Sequence, residues 1–143
     1  MKWARELSAQ KNKTLNLTNN KHIIVLDDDV ATLDAIKRVL GAHGFNAEVF
    51  NTVEDLLGRA HLEGAICLLL DVDVNGMSGI DLARQLARSG NSLPVIFMTG
   101  NEGEAIRQAA IEAGCIGYLR KPFSSKLLIA AIERIVLQQM AAR

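Results

Sequence analysis

The sequence is poor in the features that mark several large classes of protein. Only two cysteines occur in 143 residues, and both sit inside apolar runs, Cys67 within Ala65 to Leu70 and Cys115 at the start of Cys115 to Leu119. They read as small buried hydrophobes in a reducing compartment, not as a disulfide or a metal pair. Neither sign of charge is in excess. Lys+Arg 16 against Asp+Glu 16 leaves no basic footprint for nucleic acid and no acidic tail. No apolar run approaches the ~20 residues of a membrane span, and Met1-Lys2-Trp3-Ala4-Arg5-Glu6 lacks the apolar stretch of a secretory signal. Without that signal, Asn12-Lys13-Thr14 and Asn16-Leu17-Thr18 are chance glycosylation sequons. The expectation is a cytoplasmic protein with no direct nucleic-acid partner and no membrane. His22, His43 and His61 share no motif and receive no role.

What the sequence does contain is one domain's worth of alternating strand and helix. Residues 1–20 stand apart as a flexible extension without chemistry of its own, because Asn12 to Asn20 is polar and asparagine-rich. From Lys21 to Arg143 the remainder reads as a single unit. Short apolar segments at 22–27, 46–50, 65–70, 94–98 and 115–119 are the expected strands. Helical patterns are expected over 30–42, 52–61, 79–89, 103–113 and 124–140. Gly44, Gly64, Gly90 and Gly114 each fall just beyond a helical stretch, where a left-handed residue ends a helix at little cost. Strands separated by helices of this length imply right-handed βαβ units. The expected fold is α/β, a doubly wound five-stranded parallel sheet with helices on both faces.

In such sheets the functional crevice lies at the carboxyl ends of the strands, so the strand exits matter most. Asp27, Asp28 and Asp29 close the run Ile23-Ile24-Val25-Leu26. Asp29 alone reads as a helix N-cap. Asp27 and Asp28 are costly at a buried exit, since two ionised groups ~4 Å apart repel by a few kcal/mol at an effective dielectric of ~20. A divalent cation offsets that, and oxygen ligands on a tight turn suit Mg²⁺ or Mn²⁺. Asp71 leaves the third strand, Thr99-Gly100 the fourth, and Lys121-Pro122 follows the fifth. Asp71 would share the cation and is the best nucleophile, because carboxylates form acyl-phosphates. Phosphoryl transfer needs positioning and charge neutralisation. The cation, the Lys121 ammonium and the Thr99 hydroxyl could each neutralise one oxygen. Taken singly, Thr99 could also cap the next helix, Lys121 could be a solvated turn residue, and Tyr118 could be a core or rim aromatic.

Four separated segments then carry a resemblance: Ile23 to Asp29, Leu70-Asp71 with Gly76-Met77-Ser78-Gly79, Phe97-Met98-Thr99-Gly100, and Gly117 to Phe123. Together, over about residues 21–140, they resemble the receiver domain of two-component response regulators. The resemblance implies the strand order 2-1-3-4-5 and a phosphoryl group taken from a histidine kinase or histidine phosphotransfer protein onto Asp71. It implies Mg²⁺ held by Asp28, Asp71 and the backbone carbonyl of Asp73, with Asp27 assisting through water. Thr99 and Tyr118 would be the switch pair and Lys121 the phosphate contact. The protein would be a signalling receiver, catalysing only its own phosphorylation and dephosphorylation. Its output face would combine helices 103–113 and 124–140 with strand 115–119, and a homodimer through that face is also allowed. In that strand order Cys67 and Cys115 would stand ~9–10 Å apart laterally, too far to bridge. Two positions depart from the family pattern. Asn75 stands where proline is common, which should loosen the acceptor loop, and Asp73 adds an acid near the metal, which should alter kinetics.

Three other readings compete. A pseudo-receiver would use the same fold as an interaction module without phosphorylation, but every chemical slot is filled. A flavodoxin-like cofactor binder needs a phosphate cradle after strand one, where three aspartates stand instead. A metal-dependent hydrolase would need a cap domain and a second lysine–acid constellation. The stretch after Phe123 leaves room for the last helix, so the expectation is either a single-domain regulator that docks on a downstream protein or a receiver separated from its output domain.

Overall fold

A computed structural model of the chain describes residues 21–100 and 103–141. The expected extension over 1–20 lies outside them. Five strands form a parallel sheet: β1 (His22–Leu26), β2 (Asn46–Phe50), β3 (Cys67–Asp71), β6 (Val95–Thr99) and β7 (Gly117–Arg120). Their order, β2-β1-β3-β6-β7, is the expected 2-1-3-4-5 once the short hairpin β4 (Asp73–Val74) and β5 (Met77–Ser78) is set aside. The helices are α1 (Val30–Ala42), α2 (Val53–Arg59), α3 (Gly79–Arg88), α4 (Glu104–Glu112) and α5 (Ser125–Ala141). None of those among the described residues is long and apolar enough to cross a membrane.

The pleat explains why β1 and β3 lack polar alternation. Ile23, Val25, Cys67 and Leu69 point into a core built with α1 and α5, including Ile36, Leu40, Leu128 and Ile132. Ile24, Leu26, Leu68 and Leu70 point the other way, against Leu56 of α2, Ile80 and Leu86 of α3 and Ala110 of α4. Strands buried on both faces need apolar residues at every position. Helix starts are fixed by side-chain caps. Asp29 accepts from the Ala31 N–H, Thr52 from Asp55 and Ser78 from Asp81. Each cap satisfies a donor that the first helical turn leaves unpaired.

Several boundaries differ from the sequence expectation for identifiable reasons. The helix expected over 52–61 stops at Arg59 because Ala60 turns extended and the His61 N–H bonds Glu48 Oε1 at 2.9 Å. Gly64 has φ +84° but sits beyond that helix, not at its end. The third strand reaches Asp71, paired with Met98, so the acidic residue is the last rung of the ladder. Cys115 precedes β7 and is half-exposed, not buried, while Cys67 is buried, and both are free thiols. With β6 between β3 and β7, no bridge between them is available.

Candidate functional site

The strand exits bring together most of the residues singled out above. Asp27 and Asp28 follow β1, Asp71 ends β3, Thr99 ends β6 and Lys121 follows β7 through a backbone bond from its N–H to the Thr99 carbonyl, 2.7 Å. Asp28, Asp71, Asp73, Thr99, Gly100 and Lys121 line one cavity of about 680 Å³. Asp27 and Thr99 are wholly buried, and Asp71 is only 6% exposed. Thr99 is not a helix cap, since α4 begins at Glu104 with Gly103 in the cap position. Tyr118 is half-buried and packs on the core beneath α2, α3 and α4, opposite Phe97 in the sheet register.

Charge is concentrated here. One oxygen from each of Asp27, Asp28 and Asp71 lies within 4.8 Å of the others, a separation at which each ionised pair repels by about 3 kcal/mol at an effective dielectric of ~20. The Lys121 ammonium bridges two of them, bonding Asp27 Oδ2 and, at 3.0 Å, Asp71 Oδ2. The main chain supplies further donors: Asp29 N–H to Asp27 Oδ1 at 2.9 Å, and Asp73 N–H to Asp71 Oδ1 at 3.1 Å. Burial still raises the Asp71 carboxyl above its ordinary value, helped by the Asp27 charge and opposed by Asp73 N–H and Lys121. Burial alone would depress the Lys121 ammonium, but its bonds to Asp27 and Asp71 overcome this and raise it. Three carboxylates against one ammonium leave an excess of negative charge when all are ionised. An all-oxygen donor set with that excess fits a small divalent cation.

The loop after Asp71 is more structured than expected. Asn75 (φ 55°) and Gly76 (φ 84°) are both left-handed and close a two-residue hairpin in which Val74 faces Met77. Positive φ at both central positions is the type I′ geometry that favours Asn-Gly. Asn75 therefore does not loosen the loop, because its N–H bonds Asp28 Oδ2 at 2.9 Å and ties the hairpin to the β1 exit. The extra acid, Asp73, is exposed and accepts the Gly76 N–H at 3.0 Å, so its side chain braces the same turn.

Gly79 is required for a different reason. Its N–H bonds the Val72 carbonyl at 3.0 Å, and a Cβ there would lie 1.8 Å from the Asp71 carbonyl oxygen and 2.9 Å from its carbon. Those atoms are backbone and cannot swing aside. Gly79→Ala is expected to cost about 1–3 kcal/mol or more by forcing α3 off β3, read as a lower thermal midpoint. An alanine variant melting with the wild type would show that this close approach is absent in solution.

Two clusters of interactions escaped the sequence reading. The histidines do have partners: Glu48 on β2 accepts from His61 Nδ1 at 2.7 Å and meets His22 Nε2 at 3.2 Å. Burial pushes the Glu48 carboxyl up, but the His61 and His22 hydrogen bonds prevail and hold it below the usual range. The hairpin and its bond to Asp28 are the other.

The family model for the response regulator receiver domain matches residues 23–133. The chain belongs to that family. Among similar proteins, the response regulator protein TodT of Pseudomonas putida is 36% identical over 111 residues, covering 78% of this chain and 49% of TodT. The transcriptional regulatory protein FixJ of Bradyrhizobium diazoefficiens is 30% identical over 122 residues, covering 85% of this chain and 60% of FixJ. This receiver thus spans about half to three-fifths of those relatives. Among solved structures, a CheY-like receiver domain protein from Methanospirillum hungatei superposes with a TM-score of 0.79 at 25% identity, over 86% of this chain and 98% of that one. Full-length FixJ from B. japonicum gives 0.74 at 30% identity, over 82% and 58%. The chain is a receiver domain of the two-component response regulator kind.

Proposed function

We propose that this receiver is an active phosphoacceptor and not a pseudo-receiver. Asp71 takes a phosphoryl group from the phosphohistidine of a histidine kinase or phosphotransfer protein. An Asp71 carboxylate oxygen forms the bond to phosphorus as the histidine N–P bond breaks, leaving an acyl-phosphate and an imidazole that takes its proton from solvent. Asp28, Asp71 and the Asp73 carbonyl would hold Mg²⁺ or Mn²⁺, with Asp27 contributing through water. The cation supplies charge neutralisation at the phosphoryl oxygens. Lys121 pairs with a second oxygen, and the Thr99 hydroxyl, on the wall of the same cavity, donates to a third. The observation that carries this reading is the Lys121 ammonium spanning Asp27 and Asp71 at the cavity that Asp28 also lines. A pseudo-receiver has no use for so costly a buried cluster.

Modification would be read out by Thr99 and Tyr118 turning together and altering the face made by α4, β7 and α5. That face would dock a downstream protein, an output domain or a second copy of the chain. The shift is limited by the phosphoryl group's differential interaction with the two states, a few kcal/mol. Incubation with acetyl phosphate and Mg²⁺ should add one phosphoryl mass, and chelation should prevent it. Amide exchange on the same sample should change over α4, β7 and α5. No adduct at any Mg²⁺ concentration would leave the pseudo-receiver reading standing, and changes confined to α1 and α2 would displace the proposed output face.

A further inference from the structure

The hairpin bond to Asp28 has a consequence for the cation site. We infer that Asn75, through its main-chain N–H, is a positioning residue for cation binding, holding the Asp28 carboxylate in its ligating orientation. This rests on the phosphoacceptor reading above and deepens it. Asp28 is the exposed member of the three acids, whereas Asp27 and Asp71 are buried and held by the Lys121 ammonium. An exposed aspartate on a strand exit otherwise chooses its own rotamer. The Asn75 N–H, 2.9 Å from Oδ2, engages that oxygen and leaves Oδ1 for a cation. Carboxylates that bind metals are commonly oriented by such outer hydrogen bonds, and losing one typically weakens metal binding 10–100-fold.

The donor exists only because of the turn. Asn75 adopts φ 55°, which asparagine tolerates, with Gly76 at φ 84° beside it. Asp73 reinforces the arrangement by accepting the Gly76 N–H, so the hairpin is braced at one end by the acid that follows the acceptor and at the other by Asp28. A proline at this position has no N–H to give and a φ near −65°. The residue that departs from the common family pattern therefore supplies a contact which that pattern could not make.

Asn75→Pro and Asn75→Gly, together with amide exchange at residue 75, separate this role from a merely structural one. Proline with Gly76 retained permits a type II turn and removes the donor together with the left-handed backbone at residue 75, whereas glycine keeps both the donor and the left-handed geometry. By calorimetry with Mg²⁺ alone, Asn75→Pro is expected to bind about tenfold more weakly and Asn75→Gly as wild type does. In wild-type protein the Asn75 amide should be protected from hydrogen exchange with and without Mg²⁺, and Asp28→Ala should remove that protection. Proline binding within threefold of wild type, tighter binding, or an unprotected Asn75 amide in the Mg²⁺-loaded protein would each overturn the inference. A wild-type protein that binds no Mg²⁺ would overturn the phosphoacceptor reading itself, and the inference with it.

Discussion

Asp71→Asn, treated with acetyl phosphate and Mg²⁺ beside the wild type, is expected to stay at its unmodified mass. Four acids surround the site, and their surroundings differ. Asp27 is wholly buried, with one oxygen held by the Lys121 ammonium and the other by the Asp29 N–H. Asp28 is exposed and turned toward the Asn75 N–H, and Asp73 is exposed and braces the hairpin through Gly76. Asp71 alone combines a place on the cavity wall with a direct bond to Lys121, and Thr99 lines the same cavity. Asparagine preserves the shape but offers no carboxylate to phosphorus. Misfolding should not confuse the result. Burial raises the Asp71 carboxyl, so the neutral amide escapes the burial cost of the charge although it can accept from only one of Asp73 N–H and Lys121, and a thermal melt of the variant confirms that it is folded. Equal labelling of a well-folded Asp71→Asn would move the acceptor to another acid.

The parts of this architecture legible in the sequence are those that leave a local signature. β1 and β3 show as unalternating apolar runs because both faces are buried, and their acidic exits stand out against that background. The placing of Asp27, Asp28, Asp71, Thr99 and Lys121 on one rim follows from strand parity and parallel order. The rest depends on backbone atoms or distant pairs. Asn75 gives Asp28 a main-chain N–H from 47 residues away, and a backbone donor has no side-chain type to betray it. The Asn-Gly turn was open to reading from its residue pair, but its strands are two residues each. Gly79 looks like any helix-start glycine until β3 is laid against it. His22 and His61 meet Glu48 across 26 and 13 residues, spacings that no short motif encodes. That contact also explains the early end of α2, because Glu48 competes for the His61 N–H.

Lys121→Met should produce the largest loss of stability, and its dependence on pH and Mg²⁺ distinguishes charge from packing. Methionine keeps much of the apolar stem of lysine while removing the ammonium. Asp27 and Asp71 would then face each other with no cation between them. Removing one partner of a buried ion pair typically costs 3–5 kcal/mol. The Lys121 side chain is 25% exposed, so solvent screening reduces the expected loss to about 2–4 kcal/mol at neutral pH. The sign of the pH dependence follows from two shifts. Lys121 titrates above its ordinary value of 10.5, so its stabilisation is complete below that value and disappears only as pH rises through the folded one. Asp71 titrates above its ordinary 3.8, so ionising it costs stability as pH rises through that region, and without Lys121 the cost grows. The gap between variant and wild type should therefore be widest from neutral pH up to the ordinary lysine value, narrow in acid as Asp71 is protonated, and narrow again in strong alkali as Lys121 loses its charge. Mg²⁺ should raise the melting temperature of the variant more than that of the wild type, because it restores the missing positive charge and binds only the folded protein. Thermal melts at acidic and neutral pH, each with and without Mg²⁺, measure all of this. A loss equal in size under every condition would mean that Lys121 acts through packing, and that the ammonium is not what holds the two buried carboxylates together.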